Sequence, residues 1–185
     1  MDTVCSMCTP DNALIQNAVN ATSPAPTDRW SPEQATGPPD AEMCDSSIFA
    51  WMPKVYSCTK KNCQIDLFFQ YPVIPERLTI WVIWNAALGI KKLRLYFEGG
   101  RSKTMKNLPA HCDMPFTTRL SVSRKITKLR IYTRDQYVAI DAVEVLSSRN
   151  NEICSGCRKL KYKIHREPPF PGKHIQISSD PHFTD

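Results

Sequence analysis

The chain has 185 residues, eight of them cysteine, with 42% hydrophobic and 23% charged side chains and a net charge of +6. This is the composition of a globular protein, long enough for one domain of about 100–150 residues and a fragment of another. Fifteen prolines against six glycines favour extended segments and turns over long helices. The sequence has no apolar run of about 18 residues, which excludes a membrane-spanning helix.

Residues 1–29 are polar and end in a Ser-Pro-Ala-Pro-Thr run, which predicts a linker. Within this segment Asn20 begins an Asn-Ala-Thr sequon, which indicates either a glycosylation site on a surface loop or a plain loop asparagine. The first residues have neither the basic start nor the apolar stretch of a secretory signal peptide. We therefore expect either a cytosolic protein or an internal piece of a longer chain, and the strand-like residues 175–177 favour the second.

Short runs in which every second residue is apolar follow one another from residue 65 to residue 145, as in strands with one buried face. Turn residues such as Glu98-Gly99-Gly100 separate them, and no helical pattern intervenes. The spacing predicts an all-β fold, an antiparallel jelly-roll β-sandwich over residues 30–147. The polar residues 147–151 predict a domain boundary, after which residues 148–185 begin a second unit. The runs contain Ile65, Leu67 and Phe69; Leu78, Ile80, Val82 and Trp84; Leu93, Leu95 and Phe97; Phe116, Thr118, Leu120 and Val122; Leu129 and Ile131; Val138 and Ile140; and Val143 and Val145.

Two Cys-x-x-Cys pairs, Cys5/Cys8 and Cys154/Cys157, contain the four thiolates that a structural zinc site needs. Zinc modules usually separate such pairs by about 15–20 residues, whereas 145 residues intervene here, which favours disulfides. Eight cysteines allow 105 pairings, so the sequence leaves the connectivity open. The order of loops and strands permits two pairings that we predict: Cys44–Cys112, which would staple the sandwich, and Cys58–Cys63, which would close a small loop.

Motifs for catalysis are missing from the sequence. The four histidines, His111, His165, His174 and His182, form no His-Glu-x-x-His pair, and there is no Gly-x-Ser-x-Gly or glycine-rich phosphate loop. We therefore predict that this chain is not itself an enzyme.

Positive charge is concentrated in one part of the chain. Residues 91–130 hold eleven lysines and arginines against two acids, while residues 1–90 hold five against nine. In two predicted strands the cations alternate with apolar residues, so that one face of each strand is cationic. Such a face is either a solvated outer surface or a binding surface for a polyanion, and its candidate residues are Lys92, Arg94, Lys128 and Arg130.

Residues 30–40 contain an Ala-Thr-Gly-Pro-Pro-Asp sequence that resembles the loop opening a β-sandwich module in pappalysins, the pregnancy-associated plasma protein-A family. Further blocks resemble the same family and fall in the same order, from about residue 30 to the end of the chain. These blocks are residues 46–51, 71–82, 112–117, 140–142, 154–157, 160–164 and 166–170.

The resemblance implies a galactose-binding-like sandwich followed by the incomplete start of a fibronectin type III-like module. Pappalysins are secreted, multidomain zinc metalloproteases of the metzincin type that cleave insulin-like growth factor binding proteins, and the matched region lies after their catalytic domain. The family's zinc motif has no counterpart here, so the resemblance assigns the catalytic zinc to the parent protein, outside this chain. It implies an extracellular location and, as partners, other domains of the parent and insulin-like growth factor binding proteins. For the cationic strand faces we expect sulfated glycans, and no nucleic acid, as the polyanion.

Galactose-binding-like sandwiches often hold a structural calcium, and the resemblance suggests Asp40, Asp45 and Glu144 as its oxygen donors. Two other interpretations stay open. One is a free-standing glycan-binding module with an aromatic cluster at one end of the sandwich, for which Trp51, Trp81 and Trp84 are candidates. The other is a cytosolic zinc-ribbon protein.

Overall fold

Eight antiparallel strands form the fold of the computed structural model, which describes residues 3–24, 28–53, 63–86, 89–134, 136–149 and 151–157. Two short 3-10 helices, Thr3–Met7 and Pro32–Ala35, and helical residues 152–157 accompany them. The all-β, antiparallel prediction is thereby confirmed. Within these ranges, no helix is both long and apolar enough to cross a membrane. The strands are β1 (Ile15–Thr22), β2 (Gln64–Phe69), β3 (Pro75–Trp84), β4 (Ile90–Phe97), β5 (Ser102–Leu108), β6 (Phe116–Arg119), β7 (Ile126–Thr133) and β8 (Ala139–Ser147).

The strands pair in the order β5-β4-β7-β2-β1-β8-β3-β6, and this sheet curls over a single large core. Alternation in the sequence explains the strands that were predicted, because every second side chain of β3, β4 and β7 faces the core. Trp51 joins the same core from a loop, where its backbone exchanges hydrogen bonds with Ile140 at 2.8 and 2.9 Å. The core residues with no exposed surface include Leu78, Ile80, Leu93, Leu95, Leu129 and Ile131.

The N-terminal segment is part of the sandwich, so the linker prediction for residues 1–29 is wrong. Strand β1 lies inside the sheet, paired with β2 on one side and β8 on the other. Its buried residues are Gln16, Ala18 and Ala21, and the pairing with β2 shifts register between Ala18 and Asn20. Small or polar buried residues and a shifted register remove the apolar alternation that identified the other strands.

Two disulfides join the two ends of this unit, Cys5–Cys157 and Cys8–Cys154. The zinc interpretation brought these same four cysteines together, but they are paired with each other, so the zinc site is not formed. The chain continues past β8 onto the N-terminal segment, where the Asn151 amide donates to the Asn12 carbonyl at 2.8 Å. The predicted boundary after residue 147 therefore moves to residue 157 or beyond.

The other predicted pairings have different outcomes. Cys44–Cys112 is formed, with the two Cα atoms 4.8 Å apart, which confirms that prediction. Cys63 is disulfide-bonded, but Cys58 lies outside the described residues. The predicted fibronectin type III-like start also lies outside them from residue 158 onward.

A carboxylate is buried where β8 is irregular. Trp81 of β3 pairs with Ala142 and Val82 pairs with Ile140, so Asp141 is an extra residue in a β-bulge. Asp141 is only 1% exposed; its Oδ1 accepts a hydrogen bond from the Asp40 amide at 3.4 Å, and its Oδ2 has no partner among the described residues. Burial raises its pKa to about 6, although backbone hydrogen bonds from residues 40 and 41 oppose this.

We expect Asp141→Asn to stabilise the protein at neutral pH. The folded-state pKa of Asp141 lies above its ordinary value of 3.8, so the folded state binds this proton more tightly than the unfolded state. The contribution of Asp141 to stability is therefore present at low pH and is lost as the pH rises from about 4 to about 6. Urea unfolding of Asp141→Asn should show a gain of about 1–2 kcal/mol at pH 7 that disappears near pH 4.

The exposed Glu42→Gln on the neighbouring loop is the control, because it also converts a carboxylate to an amide. The same gain in both variants, or a gain independent of pH, would contradict a role for burial of Asp141.

The two disulfides between the ends of this unit should support each other. When one is present, the other closes a ring of only about eight residues, which is worth about 2–3 kcal/mol in the loop-entropy model. When both are removed, the loop of about 150 residues also opens. We expect Cys5→Ala/Cys157→Ala and Cys8→Ala/Cys154→Ala each to lower the free energy of unfolding by about 2–3 kcal/mol, and the quadruple variant to lose more than the sum. Additive losses in urea unfolding without reductant would contradict this coupling.

Candidate functional site

The predicted cationic strands are neighbours in the sheet. β4 and β7 pair antiparallel, with Lys92 opposite Tyr132, Arg94 opposite Arg130 and Tyr96 opposite Lys128. The intervening residues of both strands fill the core, so these six side chains lie on the outer face. The structure therefore brings together all four cations that the sequence singled out.

Strands β5 and β2 extend this surface on either side. Lys106 of β5 lies opposite Lys92, and Asp66 of β2 lies opposite Arg130. We call the outer face of these four strands the cationic face. Its described positions hold five basic residues and one acid, which are Lys92, Arg94, Lys106, Lys128, Arg130 and Asp66.

Asp66 binds two of the cations directly. Lys128 Nζ donates to Asp66 Oδ2 at 3.0 Å, and Arg130 Nη2 donates to the same oxygen at 2.7 Å. Arg130 Nε donates to Asp66 Oδ1, which makes the arginine contact bidentate. Burial acts to raise the pKa of Asp66, but the hydrogen bonds from Arg130 and Lys128 outweigh it and hold the pKa below the ordinary 3.8. Asp66 in turn raises the pKa of Arg130.

Two tyrosine rings lie among the cations. Lys92 Nζ is 3.9 Å from the centre of the Tyr132 ring, and Lys128 Nζ is 4.4 Å from the centre of the Tyr96 ring. The Arg94 guanidinium lies 5.1 Å from the Tyr96 ring, and its Nε and Nη2 also donate to Ser102 Oγ at 3.2 and 3.1 Å. These contacts restrict the cations to one surface while leaving Arg94 and Lys106 exposed.

Besides Lys106, Asp66 is the residue of the cationic face that sequence reasoning missed. It belongs to the first alternating run, between Ile65 and Leu67, and the alternation already predicted that it faces outward. What the sequence lacked was the pairing of β2 with β7, which sets Asp66 beside Arg130 although 64 residues separate them.

The predicted calcium ligands are not brought together. Asp40 lies beside Asp141, Asp45 accepts a hydrogen bond from the Ser46 amide at 2.6 Å, and Glu144 lies on β8. Burial raises the pKa of Glu144, against the attraction of Arg77. Across the described ranges, no three His, Cys, Asp or Glu side chains are grouped as a metal site requires. Calcium binding stays a prediction that this placement does not support.

The remaining candidates divide between surface and core. Asn20 lies on β1 and not on a loop, with an exposed side chain. Trp51 is fully buried, Trp81 is half-buried, and Trp84 at the end of β3 is 39% exposed. The three tryptophans therefore form no aromatic cluster on the surface, although Trp84 alone is available to a ligand.

We expect Asp66→Asn to destabilise the fold by about 1–2 kcal/mol at pH 7, because three charge-assisted hydrogen bonds, from Lys128 and Arg130, lose their ionised acceptor. The pKa of Asp66 is lower in the folded state than its ordinary 3.8, so its contribution is present above about pH 4 and is lost as the pH falls through the folded-state pKa. The difference in unfolding free energy between wild type and variant should therefore shrink below pH 4. A difference that stays constant down to pH 2 would show that the ion pairs contribute nothing.

Comparison with known proteins identifies the family. The family profile "Pappalysin-1, SD scarf domain, C-terminal" matches residues 6–156, most of the chain. Human Pappalysin-1 is 34% identical over 92% of this chain, and mouse Pappalysin-1 is 33% identical over the same share. The chain spans 12% of the length of each of these relatives.

Solved structures with a similar course of the chain include a glycoside hydrolase and the X-ray structure of GH31 CBM32-2 bound to GalNAc. The first has a TM-score of 0.40 and 12% identity, over 75% of this chain and 31% of that one. The second has a TM-score of 0.39 and 14% identity, over 75% of this chain and 98% of that one. From the match to the family profile and to these relatives, the chain belongs to the pappalysin family and corresponds to a region outside its catalytic domain.

Proposed function

We propose that this chain is an accessory binding module of a secreted pappalysin-type metalloendopeptidase, and that it binds sulfated glycans through the cationic face. The parent enzyme would cleave insulin-like growth factor binding proteins, and the module would hold it near glycans that carry sulfate groups. The observation that carries the proposal is the set of five basic residues, with one acid, on four neighbouring strands. Membership of the pappalysin family and the disulfides support an extracellular location.

The spacing of the charges suits an extended polyanion. Residues two apart on a strand are about 6.6 Å apart, and neighbouring strands are about 4.8 Å apart. Lys106, Lys92, Arg94 and Arg130 thus form a continuous patch in which one chain of sulfates meets several cations. Each cation on the same surface adds to the attraction, and guanidinium groups also bind sulfate oxygens through paired N–H donors.

The two tyrosine rings and Asp66 reduce the conformational entropy that the basic side chains lose on binding. Lysine and arginine side chains lose rotamer freedom when they bind a ligand, at about 0.5–1.5 kcal/mol each. Lys92 against Tyr132, and Arg130 against Asp66, are already held in place in the free protein. Asp66 offsets one positive charge, but it also fixes the guanidinium that lies nearest the centre of the face.

Heparin chromatography tests the proposal. The informative variant is Lys92→Ala/Arg94→Ala/Lys106→Ala, because it removes three cations and leaves the partners of Asp66 intact. We expect it to elute at a clearly lower salt concentration than wild type. Fewer cations then attract heparin, so less salt is needed to screen the attraction. Asp66→Asn should elute later than wild type, because it removes the acid of the face.

A control variant with the same loss of charge distinguishes an effect of this surface from an effect of net charge. Arg101, Arg119 and Arg149 are exposed and lie outside the cationic face, and their triple replacement by alanine should shift elution much less. Equal shifts for the two triple variants, or no shift for the first, would show that the cationic face is only a solvated surface.

A further inference from the structure

An open cavity lies where the connection after β3 meets the connection between β5 and β6. Its volume is about 610 Å³, within the range of about 300–1,000 Å³ typical of small-molecule sites. The walls combine apolar atoms with a few polar groups from residues 83–86 and 109–113. None of the five basic residues of the cationic face lines this cavity, so the two surfaces are separate.

Trp84 supplies an aromatic surface to this cavity. It is the last residue of β3 and is 39% exposed, whereas the preceding Ile83 is fully buried and anchors the strand. An exposed indole ring offers a flat apolar face with negative charge density, which attracts the weakly positive C–H groups of a ligand. The ligand suited to it therefore has at least one flat face of C–H groups.

The polar groups beside the ring are able to bind hydroxyls. Asn85 has an amide that donates and accepts, His111 has ring nitrogens, and Asp113 has a carboxylate that accepts, and all three line the cavity. Hydroxyl groups both donate and accept, so they match this mixture. The carboxylate of Asp113 disfavours an anionic ligand by repulsion, in contrast to the cationic face.

The backbone near the cavity is left-handed at two residues, and a disulfide cross-links one wall. Asn85 has a φ of 52°, in the left-handed region, and Gly89 has a φ of 62° with the Leu108 carbonyl oxygen only 3.2 Å from where a Cβ would lie. The Cys44–Cys112 disulfide fixes the chain between His111 and Asp113. This cross-link reduces the conformational freedom that the wall loses when a ligand binds.

We propose that this cavity binds an uncharged hexopyranose, such as the terminal sugar of a glycan. A pyranose ring carries C–H groups on one face and hydroxyls around its edge. The C–H face would stack on Trp84, and the hydroxyls would bind Asn85, His111 and Asp113. With one stacking contact and a few exposed hydrogen bonds, a free monosaccharide binds with a dissociation constant of the order of millimolar. The site is independent of the sulfated-glycan function proposed above.

Titration of the folded protein with neutral sugars, followed by NMR, tests the inference. The probes are galactose, N-acetylgalactosamine, glucose, N-acetylglucosamine and mannose, each taken to a concentration well above millimolar. With at least one of them we expect a saturable shift of the Trp84 indole N–H signal and of the amides near His111 and Asp113. Trp84→Ala should weaken binding at least tenfold, and Asp113→Ala should weaken it with the indole ring still present.

Phe49→Ala is the matched control, because Phe49 is 52% exposed and does not line the cavity. Its affinity for the sugar should equal that of wild type, and the Lys92→Ala/Arg94→Ala/Lys106→Ala variant should also bind normally. Trp84→Ala should elute from heparin at the same salt concentration as wild type. Failure of the sugar-binding inference therefore does not decide the proposal of heparin binding, and the reverse also holds. The absence of a saturable shift with all five sugars, or unchanged affinity in both cavity variants, would overturn the inference.

Discussion

The sandwich depends on the pairing of β1 with both β2 and β8. β1 is the strand that joins the pairs on its two sides into one curled sheet, and without it the edges of β2 and β8 would present unpaired backbone groups. Its register is held by backbone pairing and by two further contacts, one just before its first residue and one near its middle. The Leu14 amide donates to the buried Ser147 hydroxyl at 2.8 Å, and the Gly37 amide donates to the Ala18 carbonyl at 2.9 Å.

The disulfides between the two ends of the sandwich also hold β1 in the sheet. β1 contributes few apolar atoms to the core, since its inward residues include Gln16 and Ala18. A strand that gains little from the hydrophobic effect needs another source of stability, and the two cross-links to residues 154 and 157 restrict how far it can separate from β8. The turn at Gly37 explains the glycine of the Gly-Pro-Pro-Asp sequence, because its φ of 82° favours glycine and lets the loop close onto β1.

The two candidate binding surfaces have opposite chemistry on one scaffold. On the cationic face, β-strand geometry sets the spacing of charges, and Asp66 and the tyrosines order them. At the cavity, the end of β3 and the loop cross-linked by Cys44–Cys112 place an indole ring beside polar groups. We propose that the module recognises two features of a glycan, its sulfate groups and an uncharged terminal sugar.

The sequence alone determined the strands that are recognisable from the alternation of their own residues. Alternation of side chains predicted β2, β3, β4, β7 and β8, and placed Lys92 and Arg94 on the side opposite Leu93 and Leu95, because each residue's face follows from its neighbours along the strand. Only the tertiary structure decided what depends on distant residues. It set β7 beside β4 and β2, so that one acid far along the chain neutralises part of the cationic face, and it placed a polar N-terminal strand within the sheet. Pairing between strands and cross-links between cysteines are contacts at long sequence separation. The alternation of apolar residues within one strand does not show which strand it pairs with, and the position of one cysteine does not show which cysteine it binds.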